Sequence, residues 1–416
     1  MRAYQLSGLF LGLLSAGPAW ARVPVPVPEA TAEAIAYHHG LDLFWLADQA
    51  AGLLIPLLFL FTGWSGRLTG WCRRRVGGRW FWTVTLYALL YTALATLIQL
   101  PLTYAENYVY DHAFDQSNQT LAVWVAEVVN GLVVNLITIA LVIWIPYLVL
   151  ERSQRRWWLW TTVALAPVML VLFILSPIWV APLFNHFGPM HDKPLEQKVL
   201  ALAARGGITG APVFEVDASV DSKRLEAYVA GFGPTKRIVL YDTLLTAMDE
   251  PEVLFVVGHE MKHYLMGDIW KLLGMFLAIL LGGLFLVDRA GRAALARWRG
   301  RFGFNSLADP ASFPLLLFGL SFVVLAVTPL LMAVQRGIEH EADRFGLEIT
   351  QDNAAAAAAF VKLGTESLSL PDPGWLERTF RMSHPSLADR ITFANDYHPW
   401  ADGQPLVYGA YLKEQP

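Results

Sequence analysis

The run His259-Glu260-Met261-Lys262-His263 sets two imidazoles four positions apart, with a carboxylate beside the first. On a helix, positions i and i+4 share a face. Both rings can then reach one cation, and zinc suits this spacing. Glu260 falls beside the water such an ion would activate. Zinc brings the pKa of that water to about 7, so Glu260 is the expected general base. The preceding Val253-Leu254-Phe255-Val256-Val257 is apolar. It argues for a buried helix, against the plainer reading of a surface helix with two stray histidines.

A catalytic zinc needs a third protein ligand and an open position. No further His follows at the metzincin spacing. Glu339-His340-Glu341-Ala342-Asp343 offers carboxylates instead. Glu339 and Asp343 lie one helical turn apart, so Glu339 can bind metal while Asp343 orients a ligand imidazole. Glu341 is the rival ligand, on a different face from Asp343. The bland reading of this segment is a solvated acidic helix start. The motif geometry implies one zinc per chain.

Weaker candidates surround this core. His384 could stabilise a tetrahedral oxyanion, or serve as a structural His at a helix start. Arg336 and Arg390 could anchor a substrate carbonyl, with ion pairing to Asp343 as the plainer alternative. Glu226-Ala227-Tyr228-Val229-Ala230-Gly231 is short and β-prone, with 236–241 as its natural hairpin partner. Its other edge would then be free to bind an extended peptide through main-chain hydrogen bonds. A strand paired on both sides is the alternative.

The elements that position these residues are mostly membrane helices. Hydrophobic residues make up 55% of the 416, and charged residues only 16% against about 25% in soluble domains. Six apolar runs are long enough to span a bilayer, near 43–64, 80–102, 121–150, 157–180, 269–287 and 313–335. Trp64, Trp80, Trp82, Trp157, Trp158, Trp160 and Trp179 crowd their ends, as in aromatic belts. Pro329 is expected to kink the last run. Glu127, Asn130 and Asn135 lie inside the third run, facing either a chamber or a partner helix.

Residues 1–21 read as a signal peptide or a first membrane anchor, which would make a seventh span. Residues 22–180 carry membrane helices one to four. Residues 181–268 form a small α/β catalytic domain with the His-Glu motif. Residues 269–335 hold helices five and six joined by an Arg-rich loop, and 336–416 complete the catalytic part. Expected strands are 213–216, 227–232 and 237–241, and expected helices 195–204, 252–265, 339–349 and 354–363.

Loops 65–79, 151–156 and 288–304 carry thirteen arginines, whereas 103–120 on the opposite side has no Lys or Arg. That asymmetry puts the Arg-rich side in the cytoplasm. The catalytic segments then face the periplasm, and the signal-like start suits a bacterial inner membrane. The net charge of −4 gives no electrostatic footprint for nucleic acid. Cys72 is the only cysteine, so an internal disulfide and a cysteine-based metal site are excluded.

Taken together, these pieces resemble the type I CAAX prenyl proteases, membrane gluzincin metalloendopeptidases, and their bacterial relatives. The resemblance rests on Leu100-Pro101-Leu102-Thr103-Tyr104, Ala181-Pro182-Leu183-Phe184-Asn185, Lys236-Arg237-Ile238-Val239-Leu240-Tyr241-Asp242-Thr243-Leu244, the His-Glu motif, Glu339…Ala342-Asp343, and Ser383-His384-Pro385…Arg390. It implies Glu339 as third ligand, Asp343 behind a ligand imidazole, and membrane helices ringed around a water-filled chamber. Glu226 stands where the family usually has Asn, and Asp268 where it often has His. The implied activity is zinc-dependent hydrolysis of a peptide or protein substrate, membrane-associated or unfolded, with lipidated peptides among the candidates. The rival is a catalytically degenerate scaffold or transporter, which an incomplete ligand set would favour.

Overall fold

The computed structural model describes residues 24–413 except Phe232. The reading of residues 1–21 falls outside them. Among the described residues, six helices are long and apolar enough to cross a membrane: Ala32–Phe61, Trp80–Ala113, Leu121–Arg152, Trp157–Leu175, Asp268–Trp298 and Pro310–Thr350. Only 11% of the most apolar window of the last helix is buried in protein, so this surface faces lipid. Leu330 is among its exposed side chains, as are Leu54 on the first of the six helices and Leu141 on the third. The polypeptide is thus a mostly helical polytopic membrane protein.

Two helices run further than the sequence suggests. The Arg-rich stretch 288–304, expected to be a loop, stays helical to Phe302 within Asp268–Phe302. Its charge suggested a loop, but Ala and Arg are strong helix formers. Asp288 also pairs with Arg292 one turn on and accepts from Trp157 Nε1 at 2.6 Å. Likewise 313–335 and 339–349 are one helix, Phe313–Thr350, which continues through Pro329. Its 38 residues give about 57 Å at the α-helical rise, nearly twice a hydrocarbon core. The surplus turns stand beyond the membrane and carry Glu339 and Asp343.

A small sheet lies beside this extension. Its strands are β1 (Phe187–Pro189), β2 (Val213–Val216), β3 (Ala227–Ala230) and β4 (Arg237–Tyr241), in the order β1-β2-β4-β3. β2 and β4 are parallel, while β1 and β3 are antiparallel to their neighbours. β1 was not anticipated, since Phe-Gly-Pro carries no strand periodicity. β3 is an edge strand. Val229 faces Ile238, whose N–H is given to Pro212 on the far side, and Tyr241 N–H reaches Glu226 O. Antiparallel pairs alternate, so the main-chain groups of Ala227 and Val229 point to the free edge.

The motif helix, Glu250–Leu265, packs against this sheet. Asp249 and Glu252 form a capping box at its start and Pro251 occupies the first turn. Val253, Phe255, Val257 and Met261 enter a core shared with Ile238, Leu240, Phe345, Ile349 and Phe360. The helix stops at Gly267, whose φ of 58° is left-handed.

Candidate metal centre and active site

The motif helix crosses the extension of Phe313–Thr350 at two glycines. A Cβ on Gly346 would lie 3.2 Å from His259 N, and one on Gly258 would lie 2.8 Å from Ile349 Cγ2. This close crossing lets the buried Asp343 carboxylate reach His259 Nδ1 at 2.9 Å. The opposite ring atom, His259 Nε2, lies 3.1 Å from Glu339 Oε2. His263 Nε2 lies 3.5 Å from the same oxygen and 3.4 Å from His259 Nε2.

His263 has its own carboxylate partner, which the sequence did not reveal. Beyond Gly267 the chain turns back, and Asp268 Oδ2 meets His263 Nδ1 at 3.0 Å. Asp268 is itself held by Lys262 and Lys271, each at 2.7 Å. Lys262 is buried and also donates to Ile338 O at 2.8 Å, next to Glu339. A carboxylate five residues past an imidazole is no signal by itself. Only the left-handed turn between them makes it one.

This arrangement decides what the cluster can hold. Each Nδ1 gives its proton to a carboxylate, so each neutral imidazole turns an Nε2 lone pair inward. Two such lone pairs and the Glu339 carboxylate converge within 3.5 Å. Three acceptors with no donor among them fit a cation. Without one, the surrounding carboxylates favour the protonated form of the rings. Burial acts to lower His263, but its hydrogen bonds to Asp268 and Glu339 outweigh that and raise it to about 9. Burial likewise opposes a net rise at His259, where Asp343 and Glu339 prevail.

Glu260 lies beside these atoms, its Oε1 3.9 Å from His259 Nε2. Burial pushes its carboxyl up, with His259 and His263 pulling the other way. His384 Nε2 stands 3.2 Å from Glu339 Oε2. His259, Glu339 and His384 each bring one atom within 4.8 Å of the others, so proximity alone admits His384 as a ligand. Its side chain is 48% exposed and its Nδ1 meets only the Ser383 hydroxyl. His263, with a buried carboxylate behind it, is the better donor. Glu341 turns away and is taken by Arg344 and by Tyr408 Oη at 2.6 Å.

The arginines are occupied. Arg390 grips Asp343 with Nε at 3.0 Å and Nη2 at 2.6 Å, over the Phe360 ring. It therefore makes the ion pair that was the plainer alternative. Arg336 donates instead to the main-chain oxygens of Arg378 and Met382, at 2.7 and 2.9 Å. It ties the segment leading to His384 onto the ligand helix. A cleft of about 510 Å³ opens at the site, lined by Glu226, Ala227, Tyr228, His259, Glu260 and His384 among others. Glu226 also borders a second cavity, of about 810 Å³. Glu127 and Asn130 line that cavity, whereas Asn135 does not.

Residues 189–398 match the model of peptidase family M48, and residues 28–186 match that of the CAAX prenyl protease N-terminal region, described as five membrane helices. Within 28–186, four described helices are long and apolar enough to span, besides the short Trp64–Arg75. The chain is 35% identical to the uncharacterized metalloprotease YhfN of Bacillus subtilis, covering 88% of this chain and 86% of the relative. It is 27% identical to CAAX prenyl protease 1 of Saccharomyces cerevisiae, over 74% and 71% of the two chains. The crystal structure of S. mikatae Ste24p shares the fold, with a TM-score of 0.74 at 21% identity over 88% of each chain. Fold and site define an integral-membrane metalloendopeptidase, an enzyme that takes a metal ion and a peptide or protein substrate. The chain belongs to peptidase family M48, on the CAAX prenyl protease branch.

Proposed function

We propose that this enzyme is a zinc-dependent endopeptidase whose metal is held by His259, His263 and Glu339, with Glu260 as general base. The observation that carries the assignment is the convergence of two Nε2 lone pairs on the Glu339 carboxylate, each ring backed by a carboxylate at Nδ1. Two imidazoles and a carboxylate are a common catalytic zinc set. A zinc ion held there supplies Lewis acidity and brings a water's pKa to about 7.

The chain's own residues do the rest. An extended peptide pairs with the free edge at Ala227 and Val229, beside Glu226 and Tyr228, in the manner of strand addition. That places main chain along the cleft with little demand on side-chain sequence. Glu260, raised by burial, takes a proton from the attacking water and returns it to the leaving amine. His384, exposed and close to Glu339, donates to the oxygen that gains charge in the transition state. Asp343, fixed by Arg390, and Asp268, fixed by Lys262, keep the two imidazoles in one tautomer. Arg336 acts indirectly, by holding the His384 segment.

The Arg distribution supports a bacterial inner membrane with the active site on the periplasmic side. Membrane-associated or unfolded peptides are then the accessible substrates, lipidated ones included. Residues 22–180 and 269–335 serve as the membrane frame, and 181–268 with 336–416 as the catalytic part. Parallel metal analysis of Glu339→Ala and Glu341→Ala tests the ligand set. Glu339→Ala should lose zinc and activity while Glu341→Ala keeps both. The reverse would move the third ligand by two residues.

A further inference from the structure

The second cavity, which shares Glu226 with the catalytic cleft, has an unbalanced charge. Asp111, Glu127, Asp217, Asp221 and Glu226 line it, and against these five carboxylates stand only Arg224 and His186. Among the described residues none of the five forms a salt bridge. Their partners are neutral: Asp111 accepts from Tyr37 Oη at 3.0 Å and Glu127 from Gln119 Nε2 at 2.7 Å. Glu127 belongs to a helix that crosses the membrane, where a carboxylate is expensive and is kept for a pathway or a partner, and Asp111 lies in the last turn of the helix before it. Asp221 lies beside Asp217, and burial and that neighbour raise its carboxyl, a sign of crowded like charge. A concave cavity of about 810 Å³ lined mainly by one sign of charge focuses such a field and concentrates cations in it.

Glu226 joins this cavity to the reaction site. It lines both the cavity and the cleft that holds His259 and Glu260, and it directly precedes edge strand β3. Its side chain is exposed to these spaces. A peptide paired with Ala227 and Val229 would run past Glu226, the residue shared by cleft and cavity.

We infer that the enzyme selects cationic peptides: the stretch of substrate in the second cavity carries Lys or Arg, and Glu226 reads a basic side chain close to the scissile bond. This rests on the peptidase reading above and gives that site its substrate class. Main-chain pairing leaves sequence open, so charge supplies the discrimination.

The test uses zinc-loaded, full-length protein in nanodiscs and three fluorogenic peptides that differ at one position near the scissile bond, carrying Lys, norleucine or Glu. For wild type, kcat/KM should fall in the order Lys, norleucine, Glu, with Lys over norleucine by about 10-fold, a modest share of what a partly desolvated charge pair can give. The ratio should shrink as salt is raised. Glu226→Gln should collapse it, and Glu226→Lys should favour the Glu peptide. Equal rates for the three peptides in wild type, or a preference for Glu, would overturn the inference and leave the peptidase reading intact. Fluorescence anisotropy of the same peptides on Glu260→Gln protein asks the same question without turnover. Indifferent binding there would overturn the inference even if no peptide were cleaved, whereas absence of cleavage by wild type would count against the peptidase reading alone.

Discussion

At the scale of single residues, the site depends on two imidazoles each held by a carboxylate. The sequence exposes the imidazoles, because an i, i+4 spacing encodes a shared helix face. It exposes Asp343 only through its turn-spacing from Glu339. It hides Asp268, whose role exists because Gly267 adopts φ of 58° and swings the next residue back. Asp268→Asn keeps an acceptor and loses the charge that fixes the His263 tautomer. Zinc affinity should fall about 10- to 100-fold, as for other orienting partners. Competition against a calibrated chelator measures it, and unchanged affinity would make Asp268 a purely structural group.

Proton linkage gives a second prediction at this scale. In metal-free protein His263 is raised from 6.5 to about 9, so metal must displace a proton. Zinc affinity should therefore rise with pH and level off above about 9. The metal-free protein should do the opposite. A raised pKa adds stability that is fully present below about 6.5 and is lost as pH rises toward about 9. Melting of chelated protein across that window, beside zinc titrations at the same pH values, checks both signs.

At the scale of elements, the decisive features are a helix crossing and a strand edge. Gly258 and Gly346 permit the crossing, and neither stood out in the sequence because each matters only against the other helix. Gly346→Ala would press a methyl to 3.0 Å from Phe255 Cε2 and 3.2 Å from His259 N. Stability should drop by about 1–3 kcal/mol, as for overpacked cores, and zinc affinity with it. The edge of β3 was legible as a possibility, since a β-prone run preceded its hairpin partner. That Ala227 and Val229 are the outward-facing residues needed the register with β4. Val229→Pro removes an outward donor and spares the ladder. The protein should fold and hold zinc while KM rises about 3- to 10-fold, the worth of one hydrogen bond. Unchanged kinetics would place the peptide elsewhere.

At the scale of the whole molecule, the membrane helices do more than anchor. The helix Phe313–Thr350 carries Glu339, the proposed third ligand, on the turns that project past its apolar length, so the proposed metal site and the membrane frame share one element. Sequence reading divided it in two, because hydropathy ends where the chemistry begins while the helix does not. The six spans themselves were plain from apolar length, and the sheet order was not, because it depends on pairings between segments distant in sequence. A reporter active only in the periplasm, fused after Pro416, should work if the thirteen arginines mark the cytoplasmic side. A cytoplasmic terminus would reverse the compartment.

The most direct measurement is a zinc titration of chelator-stripped, full-length protein in nanodiscs, with metal content and hydrolysis of an unfolded peptide followed together. Activity should be absent at the start and return in proportion to bound zinc, saturating at one ion per chain, with Glu260→Gln binding the same ion and losing about 10²- to 10⁴-fold in turnover. Full hydrolysis by the stripped protein, or saturation without activity in wild type, would contradict the account.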